Sequence, residues 1–132
     1  YAAIRNDILQ TAKDYDLREV GFDPWGASQL ATELQNDHGI TMVEMRQGAK
    51  TMSEPAKDIL VKVMQGQLVH GGHRVLRWCT DNLVMVPDAN ENIRPAKDKA
   101  TDRIDGFVAL ILAWGRAMFF EPYDQVGIKV IE

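Results

Sequence analysis

The sequence predicts an α/β domain, and three observations carry that prediction. Apolar residues recur at helical spacing in Ile4, Ile8, Ala12 and Tyr15; short strand-like runs follow at 18–22 and 40–45; and a second helical pattern separates the two runs. Alternation of this kind folds as a sheet with helices packed on it, and two strands joined across a helix pair in parallel. Sites in such sheets lie beyond the carboxyl ends of the strands, and Asp23 falls at one such end.

Each element has its own signal. Residues 2–15 are expected to form an amphipathic helix, since their apolar positions share one face. The run at 18–22 ends at Asp23-Pro24, because proline removes a donor and restricts the residue before it. Leu30, Ala31 and Leu34 mark the buried stripe of a second helix, which stops at His38-Gly39 where glycine takes a left-handed cap. The β-branched run at 40–45 is closed by the turn-like Gln47-Gly48. Ser53 is placed as the N-cap of a third helix with Glu54 and Pro55 in its first turn and Ile59, Leu60, Val63 and Met64 as its stripe. Gly71-Gly72 ends that region, and 83–86, the turn at 88–92 and Ile93 read as a β-hairpin. A long helix over 101–118 presents Ile104, Phe107, Val108, Ile111 and Trp114 on one face, and 126–131 suit a further strand. Trp78 and Trp114 are expected in the core, and Trp25 either there or beside Asp23.

Composition narrows the function classes. A chain of 132 residues holds one core. The net charge of −4 argues against a broadly basic nucleic-acid binder and leaves room only for a locally basic face. Cys79 is the sole cysteine, which excludes an internal disulfide and a thiolate zinc cage and suits a buried thiol. His38, His70 and His73 lack ligand-like spacing to one another. No apolar run reaches the roughly 18 residues of a membrane span, and 107–120 is broken by Gly115 and Arg116. With no leader-like segment, a soluble, cytoplasmic protein without a membrane partner is expected.

Two acidic stretches stand out, Val20-Gly21-Phe22-Asp23-Pro24-Trp25 and Thr101-Asp102-Arg103-Ile104-Asp105-Gly106-Phe107. Each sets a carboxylate where an apolar element begins or ends, a costly position unless something pairs with it, and a divalent cation is one such partner. By residue type alone Asp23-Pro24 also suits an ordinary turn, and Asp105 an ordinary first-turn charge favoured by the helix dipole.

In order along the chain, the run from Tyr15 to Trp25, then Arg46-Gln47-Gly48 with Met52-Ser53, Leu76-Arg77-Trp78 with Asn82, and Lys97 followed by Ile104-Asp105-Gly106 resemble the nuclease domain of the large terminase subunit of tailed bacteriophages. The resemblance covers nearly the whole chain. It implies a ribonuclease H-like nuclease fold, with helices on a small mixed sheet, that cuts concatemeric double-stranded viral DNA during packaging with Mg²⁺ or Mn²⁺ held by clustered carboxylates. Two of that cluster fall on Asp23 and Asp105, expected as catalytic and metal-binding residues; Lys97 matches a family position and is expected, with Lys99 and Arg103, to meet DNA phosphates. Asp102 is expected to be a solvated charge. The implied partners are the ATPase domain of the same protein, the portal and the small terminase subunit.

The chain also departs from the family pattern. It opens at a helix, where the family has a preceding hairpin region whose central strand carries another catalytic Asp; it has no Walker motif; and His73-Arg74 stands where the family often has Asn-Pro. The expectation is therefore a domain incomplete at its N-terminus, weak in metal binding and cutting by itself. Without that strand, 18–22 is left as an edge that invites self-association or a substitute strand from 126–131. An inactive DNA-contact or docking module is the alternative. A flavodoxin-type small-molecule domain is disfavoured, because no phosphate-cradling glycine loop follows the first strand.

Overall fold

A computed structural model describes residues 1–120. The elements run α1 (Ala2–Asp14), β1 (Val20–Phe22), α2 (Ser28–His38), β2 (Met42–Glu44), α3 (Ala49–Met64), α4 (Arg74–Asp81), β3 (Met85–Pro87), β4 (Ile93–Pro95) and α5 (Asp105–Ala117). The strand expected over 126–131 lies outside the described residues.

β1 and β2 pair in parallel, as the alternation predicts, with Val20 opposite Met42, Gly21 opposite Val43 and Phe22 opposite Glu44. The crossover helix α2 buries the expected Leu30, Ala31 and Leu34 and ends on Gly39, whose φ of 66° is left-handed backbone. The expected hairpin is also present, β3 and β4 being antiparallel with Val86 opposite Arg94. Its turn is organised by the Asp88 carboxylate, which accepts the amides of Asn90 at 2.8 Å and Asn92 at 3.0 Å. The Asn92 side-chain amide, then the Asn90 N–H, hold the Asp88 carboxyl below the usual carboxylate range.

The strands form two separate two-stranded ladders among the described residues, where one mixed sheet is expected. Part of the reason is Ser53. It is no N-cap: α3 starts earlier, after Gly48, and Ser53 is buried with its hydroxyl accepting the Ile93 N–H at 3.0 Å. That bond turns the first amide of β4 toward a helix, where a neighbouring strand would otherwise take it. The stripe of α3 shifts accordingly. Met52, Ala56 and Ile59 are buried, whereas Leu60, Val63 and Met64 stand exposed.

Helix α4 has no counterpart in the sequence reading. Its N-cap is His73, whose Nδ1 accepts the Leu76 N–H at 3.4 Å, a residue type that rarely marks a helix start. Cys79 on α4 is buried, as expected of a lone thiol, while Trp78 is 44% exposed and thus not in the core. The last helix begins at Asp105, later than predicted. Before it, the Asp102 carboxylate accepts the Arg103 N–H at 2.8 Å, a local bond that competes with helical pairing.

The core gathers Met45, Met52, Ala56, Ile59, Ile104, Val108, Ile111 and Leu112, so it sits where α3 and α5 meet. Close approach there depends on Gly115, since a Cβ at that position would lie 2.9 Å from Pro55 Cγ. Trp114 is half-buried, its indole N–H donating to Asp58 at 2.7 Å.

Neighbouring residues on α3 therefore differ sharply in what they hold. Ile59→Ala is expected to cost about 2–5 kcal/mol, since it opens a cavity in the core. Leu60→Ala, at a position 56% exposed, is expected to change stability by about 0.5 kcal/mol or less. Urea unfolding of the two variants checks this, and equal losses would show that the buried face of α3 is misassigned.

Candidate active site

Asp23 is the first residue beyond β1. Pro24 bends the chain away from the sheet, and the Asp23 carboxylate accepts the Trp25 N–H at 2.9 Å, an Asx turn that fixes its direction. The loop is completed by Gly26 at φ 78° and by Ser28, whose hydroxyl donates to the Pro24 carbonyl at 3.1 Å. Trp25 is 93% exposed, so of the two expectations for it the core is excluded.

Asp105 is the first residue of α5, where the helix dipole favours negative charge. Ile104 before it is buried, and its carbonyl accepts the N–H groups of Phe107 and Val108 at 3.0 Å each. Gly106 after it lies against α4, where a Cβ would be 3.2 Å from Cys79 Sγ. Anchored on both sides, Asp105 keeps its side chain 68% exposed, with Lys97 Nζ 4.0 Å away. Lys97 arrives from the loop after β4, anchored by buried Ala96, whose N–H donates to the Val84 carbonyl at 2.8 Å. Lys99, Arg103 and Asp102 are exposed on the same connection to α5.

A groove of about 1380 Å³ lies between β1 and α5, bordered by Val20, Phe22 and Asp23 on the strand and by Ala109, Leu112 and Ala113 on the helix. Consecutive strand residues line it, so β1 presents an edge to it rather than a face. Glu19 and Arg116 also line it, joined in a two-point ion pair of 2.6 and 2.9 Å. That bond to Arg116 holds the Glu19 carboxyl below the usual carboxylate range and pushes the Arg116 guanidinium up. Arg116 also lies over the Phe119 ring, 5.1 Å from its centroid.

The ion pair ties the end of α5 to the residue before β1. Arg116 stands at Glu19 before β1, and Ala109 and Asp23 border the same groove. Asp105 is one turn before Ala109 on the same face of α5. The Asp23 and Asp105 carboxylates share no hydrogen bond: Asp23 faces the Trp25 amide and Asp105 faces Lys97. Carboxylate oxygens are the donors that Mg²⁺ and Mn²⁺ take, so the residues fit such an ion in kind. In number they fall short, for no group of three or more His, Cys, Asp or Glu among the described residues is placed to hold one.

Sequence reasoning missed the Glu19–Arg116 pair. Its partners lie 97 positions apart, and neither stands in a motif that names the other.

An α/β body with a parallel strand pair, its acidic residues at the carboxyl end of the strand and at the start of the last helix, has the ribonuclease H-like architecture of a nuclease domain. The model described as terminase large subunit, endonuclease domain, matches residues 1–121, and the chain belongs to that family. It is 39% identical over 119 residues to the terminase large subunit of Enterobacteria phage HK97, covering 89% of this chain and 23% of that protein. It is 33% identical over 129 residues to protein YmfN of Escherichia coli strain K12, covering 96% and 28%. The crystal structure of the HK97 large terminase superposes with a TM-score of 0.78 at 35% identity over 88% of this chain and 24% of that one. The chain thus spans between 23% and 28% of the curated relatives that it matches. No helix among the described residues is long and apolar enough to cross a membrane.

The Glu19–Arg116 pair has a pH signature. Because the folded pKa of Glu19 is lowered, its contribution is present above the unfolded value near 4.5 and is lost as pH falls through the lower folded value. Glu19→Gln is expected to lower the melting temperature at neutral pH, and the difference from the parent sequence should shrink below that value. A difference that stays constant from about pH 7 to about pH 3 would show that the charge of Glu19 contributes nothing.

Proposed function

We propose that this chain forms the catalytic end of a divalent-metal-dependent endonuclease that cuts concatemeric double-stranded DNA during viral genome packaging. Asp23 and Asp105 hold Mg²⁺ or Mn²⁺, and Lys97 is a phosphate contact beside them. Lys99 and Arg103 extend the phosphate-binding stretch, interleaved with Asp98 and Asp102. What supports this reading is that both carboxylates stand at element ends, Asp23 directly after β1 and Asp105 at the first position of α5 with Lys97 Nζ 4.0 Å away. A bound divalent cation supplies Lewis acidity at the phosphate and lowers the pKa of water. The remaining carboxylate oxygens come from parts of the longer protein, as do contacts with the ATPase domain, the portal and the small subunit.

In the intact protein, Asp23→Asn and Asp105→Asn are each expected to abolish plasmid cutting with the fold preserved, because the amide keeps the shape and removes the charge that a hard cation requires. Plasmid cleavage with a far-ultraviolet spectrum on each variant tests this. Full cutting by either one would remove that residue from the site.

The edge of β1 supplies a second expectation. Among the described residues β1 pairs with β2 alone, and parallel strands are stable mostly when flanked and covered. An unpaired edge recruits another strand. The chain by itself is therefore expected to self-associate through residues 20–22, which size-exclusion chromatography with light scattering measures. A monomer whose Gly21 amide, the one of this strand that faces away from β2, exchanges hydrogen freely would contradict it.

A further inference from the structure

Resting on the reading of this chain as a DNA-cutting domain, we propose that the surface from His70 to Arg77, formed by the loop after α3 and the outer side of α4, grips the phosphate backbone of duplex DNA flanking the cut. In a chain with 19 acidic residues, the longest stretch without one is 59–80, and it contains His70, His73, Arg74 and Arg77. All four are exposed. Among the described residues neither Arg74 nor Arg77 forms an ion pair, whereas Arg5, Arg18, Arg46 and Arg116 each hold a carboxylate.

The backbone around the two imidazoles makes donors of them. His70 Nδ1 accepts the Gly72 N–H at 3.1 Å, across a turn in which Gly71 and Gly72 take left-handed φ of 62° and 69°. His73 Nδ1 accepts the Leu76 N–H as the cap of α4. A neutral imidazole that accepts at Nδ1 carries its proton on Nε2, so each exposed ring has that N–H to offer. The arginines offer only donors. A surface of donors and positive charge fits a ligand of acceptors and negative charge, and the phosphodiester backbone is one, which Arg meets with a two-pronged fork.

Position favours duplex DNA over an acidic protein segment. Helix α4 packs on α5 with Cys79 against Gly106, the residue after Asp105. At roughly 100° per residue Arg74 and Arg77 lie about 140° and about 160° around the helix from Cys79, so they face away from α5. Arg74 is about 7.5 Å along α4 from that contact. Duplex DNA carries about one charge per 1.7 Å of its axis, so a duplex reaching Asp105 has phosphates within that span. These donors therefore meet DNA beside the bond being cut, where a contact sets affinity and leaves the chemical step alone.

The test uses the intact protein that carries this domain. A fluorescent duplex is titrated in EDTA without ATP at several salt concentrations, and plasmid cutting is measured against DNA concentration. The binding constant falls as about the −0.9 power of salt concentration for each phosphate neutralised, so a lost contact costs about 5-fold in affinity at about 0.15 M salt. Arg74→Ala and Arg77→Ala are each expected to weaken binding about 5-fold and reduce the salt slope by about 1, and the double variant to weaken it about 25-fold. The DNA concentration for half-maximal cutting should rise in step, with the maximal rate unchanged. His73→Asp keeps an acceptor for the Leu76 amide and sets a carboxylate against the phosphates, so it should weaken DNA binding without lowering the melting temperature. Lys13→Ala, the same change of net charge on exposed α1, should leave affinity and slope as they were. Parental affinity, slope and half-maximal concentration in the double arginine variant, as a surface for an acidic protein would give, overturn the inference. So does parental binding by His73→Asp, which stays informative if an arginine variant fails to fold, and so does an equal loss in Lys13→Ala. If Asp23→Asn and Asp105→Asn both cut fully, the reading of the chain falls and this inference with it. If both are inactive while the arginine variants bind like the parent sequence, only the inference falls.

Discussion

Helix α5 must satisfy three neighbours at once, and the rest of the structure follows from that. Along its length it packs against α3 through Val108, Ile111 and Leu112, and near its end Gly115 lets the backbone come up to Pro55. At its start Gly106 meets Cys79 of α4, and at its finish Arg116 reaches Glu19 before β1. Small residues at both contact points make this geometry available, because a side chain there would hold the elements apart. A helix clasped in this way has one allowed rotation and one allowed direction. Both decide where its first residue, Asp105, is presented.

The electrostatics divide along the same axis. At the C-terminal end of α5, charges are partly buried and matched, Arg116 with Glu19 in a two-point ion pair. At the N-terminal end they are exposed and loosely matched, Lys97 and Asp105 being 4.0 Å apart with both side chains more than half exposed. The first arrangement belongs to a contact that holds the fold. The second is one that an incoming cation or phosphate can rearrange at little cost, since exposed pairs at that distance contribute little.

A parallel pair of three-residue strands has few hydrogen bonds to stabilise it, and here α2 packs against β2 and α5 against β1. The curated relatives are about four times as long as the matched segment.

Much of this was legible in the sequence because it is local. Helical spacing placed α1 and the stripe of α2, Gly39 marked the cap, the β-branched runs marked the parallel pair, and the Asp88 turn marked the hairpin. The candidate carboxylates were legible for the same reason, each standing next to the proline or the apolar run that ends or begins its element. Tertiary structure alone decided the rest. Periodicity shows that α3 has an apolar side but not which part will be covered, so Ile59 went inside and Leu60 did not. Ser53 has the form of a helix cap and became the acceptor for a strand amide instead. His73 has no cap signature, and so α4 was missed. Glu19 with Arg116, and Asn82 with the Arg103 carbonyl, join residues far apart in sequence. Such pairs arise when packed elements bring their surfaces together, and local patterns along a chain carry no record of which surfaces will meet.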